Sequence, residues 1–163
     1  MTLTAERLRH LLDYDAAAGG FTRRIGVKGY AAGSRVGYRR QDGRLCIRVD
    51  RKLYLASRLA WLHVHGCWPI VELDHRDCDP GNDCFKNFRE ASRSQNEGNK
   101  RKYRNNKSGF KGVCWNKQRQ KWIAQICVDN VRKILGFFDD PHEAHSAYVD
   151  AALFLRGEFA RAA

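Results

Sequence analysis

The tightest constraint on the fold comes from the C-terminal third. In KWIAQICV, Trp122, Ala124, Ile126 and Val128 alternate with Ile123, Gln125 and Cys127, the two-residue period of a strand with one face turned to a core. FKGVCW before it and RKILGFF after it carry strand signals of their own, so the three predict a β-meander. PHEAHSAYVDAALFLRG then predicts one helix, started by Asp140 ahead of Pro141, with Glu143 as a capping carboxylate. Ala144, Ala147, Tyr148, Ala151, Ala152 and Leu155 recur at three-to-four spacing, and their small side chains would let that helix lie close on the sheet.

The rest of the chain is shorter in its periods. Leu8, Leu11 and Leu12 lie on one face of a helix behind Thr4, and Gly19-Gly20 ends it; Phe21 to Leu55 is punctuated by glycine and alternates at Leu45, Ile47 and Val49, a small β unit. LASRLAWLHVHG predicts a helix ending at Gly66, IVELDH a strand, RDCDPGNDCFKN a loop, FREA a second strand, and Ser92 to Lys100 a polar helix. The basic stretch that follows, through Lys107, holds no acid and predicts a linker. The expected class is therefore α+β, in small modules: a helix and β unit over 1–55, a strand-loop-strand-helix module over 56–100, a linker over 101–107, and a three-stranded antiparallel sheet packed on one helix over 108–163.

Charge narrows the partners. The formal net charge is +12, and between Lys86 and Lys133 fourteen Lys and Arg face only Glu90, Glu97 and Asp129, so nearly the whole excess sits in one segment. Solubility alone would disperse both signs, whereas clustered cations suit a polyanion such as double-stranded DNA. No hydrophobic run approaches the roughly 18 residues of a membrane span, and the N-terminus lacks a signal-peptide core, so a cytoplasmic protein is expected. The six cysteines form no CxxC pair; Cys78 and Cys84 near His75 are spaced too widely for an ordinary structural zinc module. The loop aspartates Asp77, Asp79 and Asp83 faintly suggest a calcium loop, but its twelfth position is Phe88, which cannot ligate.

One constellation suggests chemistry. Asp74 and His75 end a strand, Asn87 opens the next, and Asn96 lies on the following helix, a spacing compatible with one site. Phosphodiester hydrolysis needs a nucleophilic water, a base, and positive charge at the phosphate. The imidazole of His75 can take the proton of a water as general base; Asp74 and the Asn96 amide oxygen are hard ligands for Mg²⁺ or Mn²⁺; Asn87 can fix the loop and the imidazole. The stretch from RLAWLHVHG through SRSQNEGNK resembles the HNH endonuclease family, whose ββα-metal module has Asp-His at the first strand, a middle Asn, and a final His or Asn. The NFREAS strand and SRSQNEGNK tail resemble its phage and intron-borne homing-type branch. The resemblance implies His75 as general base, Asp74 and Asn96 as metal ligands, and Asn87 as loop support. Relatives often carry His where this chain has Ser57.

Residues from about Ser108 to Phe159 resemble the AP2/ERF DNA-binding domain, which lays a three-stranded sheet in the major groove. With Trp122, Ala124, Ile126 and Val128 toward the helix, Gln125 is left as an adenine reader on the outer face. The resemblance implies DNA contacts at Lys111, Trp115, Lys117, Arg119, Lys121 and Arg132, to which the charge pattern adds Arg93, Lys100, Arg101, Lys102, Arg104 and Lys107; Cys114 and Cys127 replace arginines of the plant-type domain. The expected function is a site-directed, metal-dependent DNA endonuclease that acts as a monomer and nicks, since one metal centre addresses one strand and a second cut would require a dimer. The competing expectation is a non-cleaving DNA-binding regulator on an inactive HNH fold.

Overall fold

The computed structural model describes residues 2–100, 102 and 105–161. It divides into two compact units, Met1–Glu90 and Ala91–Ala163. Helix and strand are mixed throughout, as an α+β class requires.

The first unit begins with α1 (Ala5–Leu11), whose first turn is capped by the Thr4 hydroxyl accepting from the Arg7 amide. The chain passes directly into β1 (Leu12–Asp15), which pairs antiparallel with β2 (Gly20–Arg23). Gly19 closes the turn between them at φ 69°, with its amide on the Asp15 carbonyl at 2.8 Å. A second sheet has the order β3 (Tyr38–Arg39), β4 (Leu45–Val49), β5 (Lys52–Leu55). Asp50 and Arg51, both at positive φ, form the two-residue turn between β4 and β5. Helix α2 (Ala56–His65) follows and stops at Gly66 in the left-handed region. Leu8, Phe21, Ile47, Leu59 and Leu62 are fully buried at the centre of this unit. Ile47 and Val49 face that core as the alternation predicts, but Cys46 on the opposite face of β4 is buried as well. β6 (Glu72–His75) and β7 (Phe88–Ala91) form a two-stranded sheet joined by a long loop that ends in a 3₁₀ turn at Phe85–Asn87. The division between the units falls within β7.

The second unit opens with α3 (Arg93–Asn99), where Ser92 and Gln95 form a reciprocal capping box. β8 (Val113–Asn116), β9 (Lys121–Val128) and β10 (Val131–Phe138) form an antiparallel sheet in the order β10-β9-β8. Asp129 and Asn130, both at positive φ, form the tight turn between β9 and β10. Helix α4 (Pro141–Arg156) starts where Asp140 accepts from the His142 amide. Ala124, Ile126 and Trp122 pack with Ala144, Tyr148 and Ala152, so the small residues of α4 do meet the sheet. The approach is close at Gly112, where a Cβ would lie 2.0 Å from the Tyr148 ring and φ is 75°. No helix among the described residues is long and apolar enough to cross a membrane.

Candidate active site

β6 delivers two adjacent side chains to the start of the β6–β7 loop. Because neighbours on a strand point to opposite faces, Asp74 and His75 receive different surroundings. Asp74 is buried and meets Arg89 of β7, also buried: Nε donates to Oδ2 at 2.9 Å and Nη2 lies 2.8 Å from the same oxygen. His75 is mostly buried, packed edge-on against Phe88 with ring centres 5.2 Å apart, and its Nε2 lies 3.2 Å from Oδ1 of Asp83.

Asn87 braces the loop from within. Its Nδ2 donates to Asp77 Oδ1 at 2.9 Å and to the Asn82 carbonyl at 2.8 Å, while its Oδ1 accepts from the Asp77 amide at 3.1 Å. Asp77 is the hub, since it also takes the Asp79 amide at 2.8 Å and the Asn82 side-chain amide at 2.6 Å. Burial opposes its charge, but the Asp79 amide, Asn82, Asn87 and nearby His75 outweigh that and hold the carboxyl below its ordinary range. It is therefore ionised, and the loop tied, at neutral pH.

The structure thus gathers Asp74, His75 and Asn87 in one strand-loop-strand segment of the first unit, while Asn96 lies on α3, in the second. Two participants have no signal in the sequence. Arg89 counts there as one more cation of the basic segment, and Asp83 as a loop acid; their partners are set by strand pairing and loop path. Cys84 is engaged as a donor to the Ala17 carbonyl at 2.7 Å.

The basic candidates divide in two. Arg93, Lys100, Lys102, Lys111 and Arg132, with Gln125, line a single cleft of about 700 Å³ in the second unit, joined by Cys127, Tyr148 and Arg156. Arg156 is a further cation of this cleft that the charge pattern does not single out; it donates to the Cys127 carbonyl at 2.6 Å. Some of these cations also have duties within the chain. Lys111 donates to the carbonyls of Gly98 and Lys100 at the end of α3, Lys102 to the Gly109 carbonyl, and Lys100 pairs with Glu97. The second group lies about the β8–β9 turn. Lys117 is exposed near it, the Arg119 guanidinium stacks 4.4 Å over the Phe137 ring, and Lys121 binds Asp139 at 3.0 Å. Trp115 is 43% exposed and touches Trp122 edge-to-face. Gln125 sits on the face away from α4, its amide 3.7 Å from the Cys114 sulfur. Lys107 is exposed, and Arg101 and Arg104 lie outside the described residues.

Residues 54–97 match the HNH endonuclease family. That span runs from β5 into α3 and includes Asp74, His75, Asn87 and Asn96. The chain is also similar to Protein 3.8 of Escherichia phage T7, 40% identical over 57 residues; these cover 35% of this chain and 47% of that protein, so the chain spans about half the length of this relative. No solved structure matches.

Proposed function

We propose that this chain is a divalent-metal-dependent endonuclease that hydrolyses one phosphodiester of double-stranded DNA at a chosen sequence, with His75 as general base. The observation that carries the reading is the Asp74-His75 pair at the end of β6, facing a loop tied by Asn87, within the segment that matches HNH endonucleases. His75 has one ring nitrogen, Nε2, against a carboxylate. With the proton there, Nδ1 is the base that takes a proton from the attacking water. Asn87 and Asp77 keep the loop from moving across that ring.

The donor set suits a hard cation. Asp74 would supply one oxygen and the resemblance to HNH endonucleases adds the Asn96 amide as a second, and Mg²⁺ characteristically takes one or two protein oxygens while water and phosphate complete its shell. Such a site does not need the three or more His, Cys, Asp or Glu side chains that converge nowhere among the described residues. When bound, the ion supplies positive charge at the scissile phosphate and the leaving oxygen. In the second unit, the sheet face bearing Gln125 and the cleft bearing Arg93 and Arg132 read and hold the duplex in the manner of an AP2-like domain. Homing-type behaviour and action as a nicking monomer belong to the same reading.

A non-cleaving DNA-binding regulator has one observation in its favour, the buried Arg89 that already neutralises Asp74. Cleavage assays decide between them. Supercoiled plasmid carrying the DNA around this gene, given Mg²⁺ or Mn²⁺, should relax to the open circle, and chelation should stop it. Specific binding without a cut in any divalent ion would establish the regulator instead.

The DNA-binding assignment has its own test. Lys117 and Arg132 are both exposed, so truncating them should leave the fold intact. Lys117→Ala with Arg132→Ala should weaken binding and reduce the slope of log K against log salt by about 0.9 for each phosphate no longer neutralised. A slope equal to the wild type's would remove these residues from the interface.

A further inference from the structure

We infer that Asp83 is the residue that positions His75, and that the N-terminal β1–β2 hairpin is the clamp that holds Asp83 in place. This rests on the reading of His75 as the base. The Asp83 side chain is 4% exposed, and its Oδ2 is buried with no hydrogen-bond partner among the described residues, while Oδ1 faces His75 Nε2 at 3.2 Å. A buried carboxylate with so little compensation is costly. The imidazole N–H is the donor that offsets it, and donation to Asp83 fixes both the ring's orientation and its tautomer. Asn87, by contrast, commits its amide to Asp77 and Asn82.

The backbone around Asp83 is gripped from outside the HNH-matched segment. The Tyr14 hydroxyl donates to the Asp83 carbonyl at 2.6 Å, the Phe85 amide to the Ala16 carbonyl at 2.9 Å, and the Cys84 thiol to the Ala17 carbonyl. Gly19 completes the grip, because a Cβ there would lie 2.3 Å from the Asp83 carbonyl carbon and 2.4 Å from the Cys84 nitrogen. Residues 14–19 of the hairpin thus make four close approaches to residues 83–85. Asn87 ties the first half of the β6–β7 loop, and the hairpin ties the second.

The test compares Asp83→Ala, Asp83→Asn and Tyr14→Phe in the full chain, each checked for a cooperative melt. The readouts are kcat and KM for plasmid nicking, and ¹⁵N NMR of the His75 ring. Asp83→Ala should lose about 100-fold in kcat with KM within about threefold, as removing the partner that orients a catalytic histidine does. Its His75 Nε2 proton should also lose the downfield shift of an N–H held on a carboxylate. Asp83→Asn, which keeps the bulk but can turn its NH₂ toward Nε2 and favour the Nδ1–H form, should lose at least as much kcat as Asp83→Ala, and Tyr14→Phe should fall between wild type and Asp83→Ala. An unchanged kcat in folded Asp83→Ala, or a His75 Nε2 proton whose shift does not move, overturns the inference. If the wild type itself does not cut, the endonuclease reading fails, and the shift of the Nε2 proton alone then decides the role of Asp83.

Discussion

His75→Ala should abolish divalent-metal-dependent nicking while leaving DNA affinity within a few-fold of wild type. A positioned general base contributes about 10²- to 10⁴-fold to a proton transfer, so the single-turnover rate should fall by at least about 100-fold. Affinity should hardly change, because the phosphate contacts are assigned to the Lys and Arg side chains of the second unit, while His75 faces Asp83 and Phe88 within the first. The effect should appear in kcat with little movement in KM, the pattern of an interaction made in the transition state. Nicking within about threefold of wild type would remove His75 from the chemistry. A variant that neither binds nor melts cooperatively would report a folding defect, to be separated by His75→Gln.

The elements were legible wherever one period governs a whole segment. In β9 the side chains of Trp122, Ala124 and Ile126 fall on the helix side because alternation leaves no other choice, and the alanines of α4 meet them for the same reason. Asp140-Pro141 marked the start of α4 because a Pro at the first turn and an acceptor before it are local requirements. The site was legible in part. Asp74, His75 and Asn87 share a strand-loop-strand segment, which sequence spacing alone can describe. Asp83 was not legible as a partner, since the path of a loop across a remote hairpin depends on Tyr14 and Gly19, which lie far upstream in the chain. Lys111 and Lys121, expected from the AP2-like resemblance to contact DNA, also have partners within the chain that no resemblance shows: Lys111 closes the end of α3 and Lys121 is paired with Asp139.

Arg89 is the clearest case of a cation whose work is internal, and its loss carries the largest expected cost in stability. Both charges of the Arg89–Asp74 pair are about 6% exposed and lie on paired strands. Arg89→Met keeps the side-chain bulk but strands a buried carboxylate, and breaking a buried pair by removing one partner costs about 3–5 kcal/mol. Against a total of about 5–15 kcal/mol for a typical domain, that is enough to unfold much of the first unit near physiological temperature. The melt of this unit, followed by Trp61 and Trp68 fluorescence, should drop by at least about 10 °C. Removing the stranded charge as well should undo most of the damage, so Asp74→Asn combined with Arg89→Met should be more stable than Arg89→Met alone, giving a coupling energy in the double-mutant cycle. A single variant within about 1 kcal/mol of wild type, or a double variant no more stable than Arg89→Met, would show that the pair does not hold β6 to β7. Because Asp74→Asn also removes the oxygen charge assigned to the metal, the double variant should fold and bind DNA yet fail to nick it, which separates the structural duty of Asp74 from its chemical one.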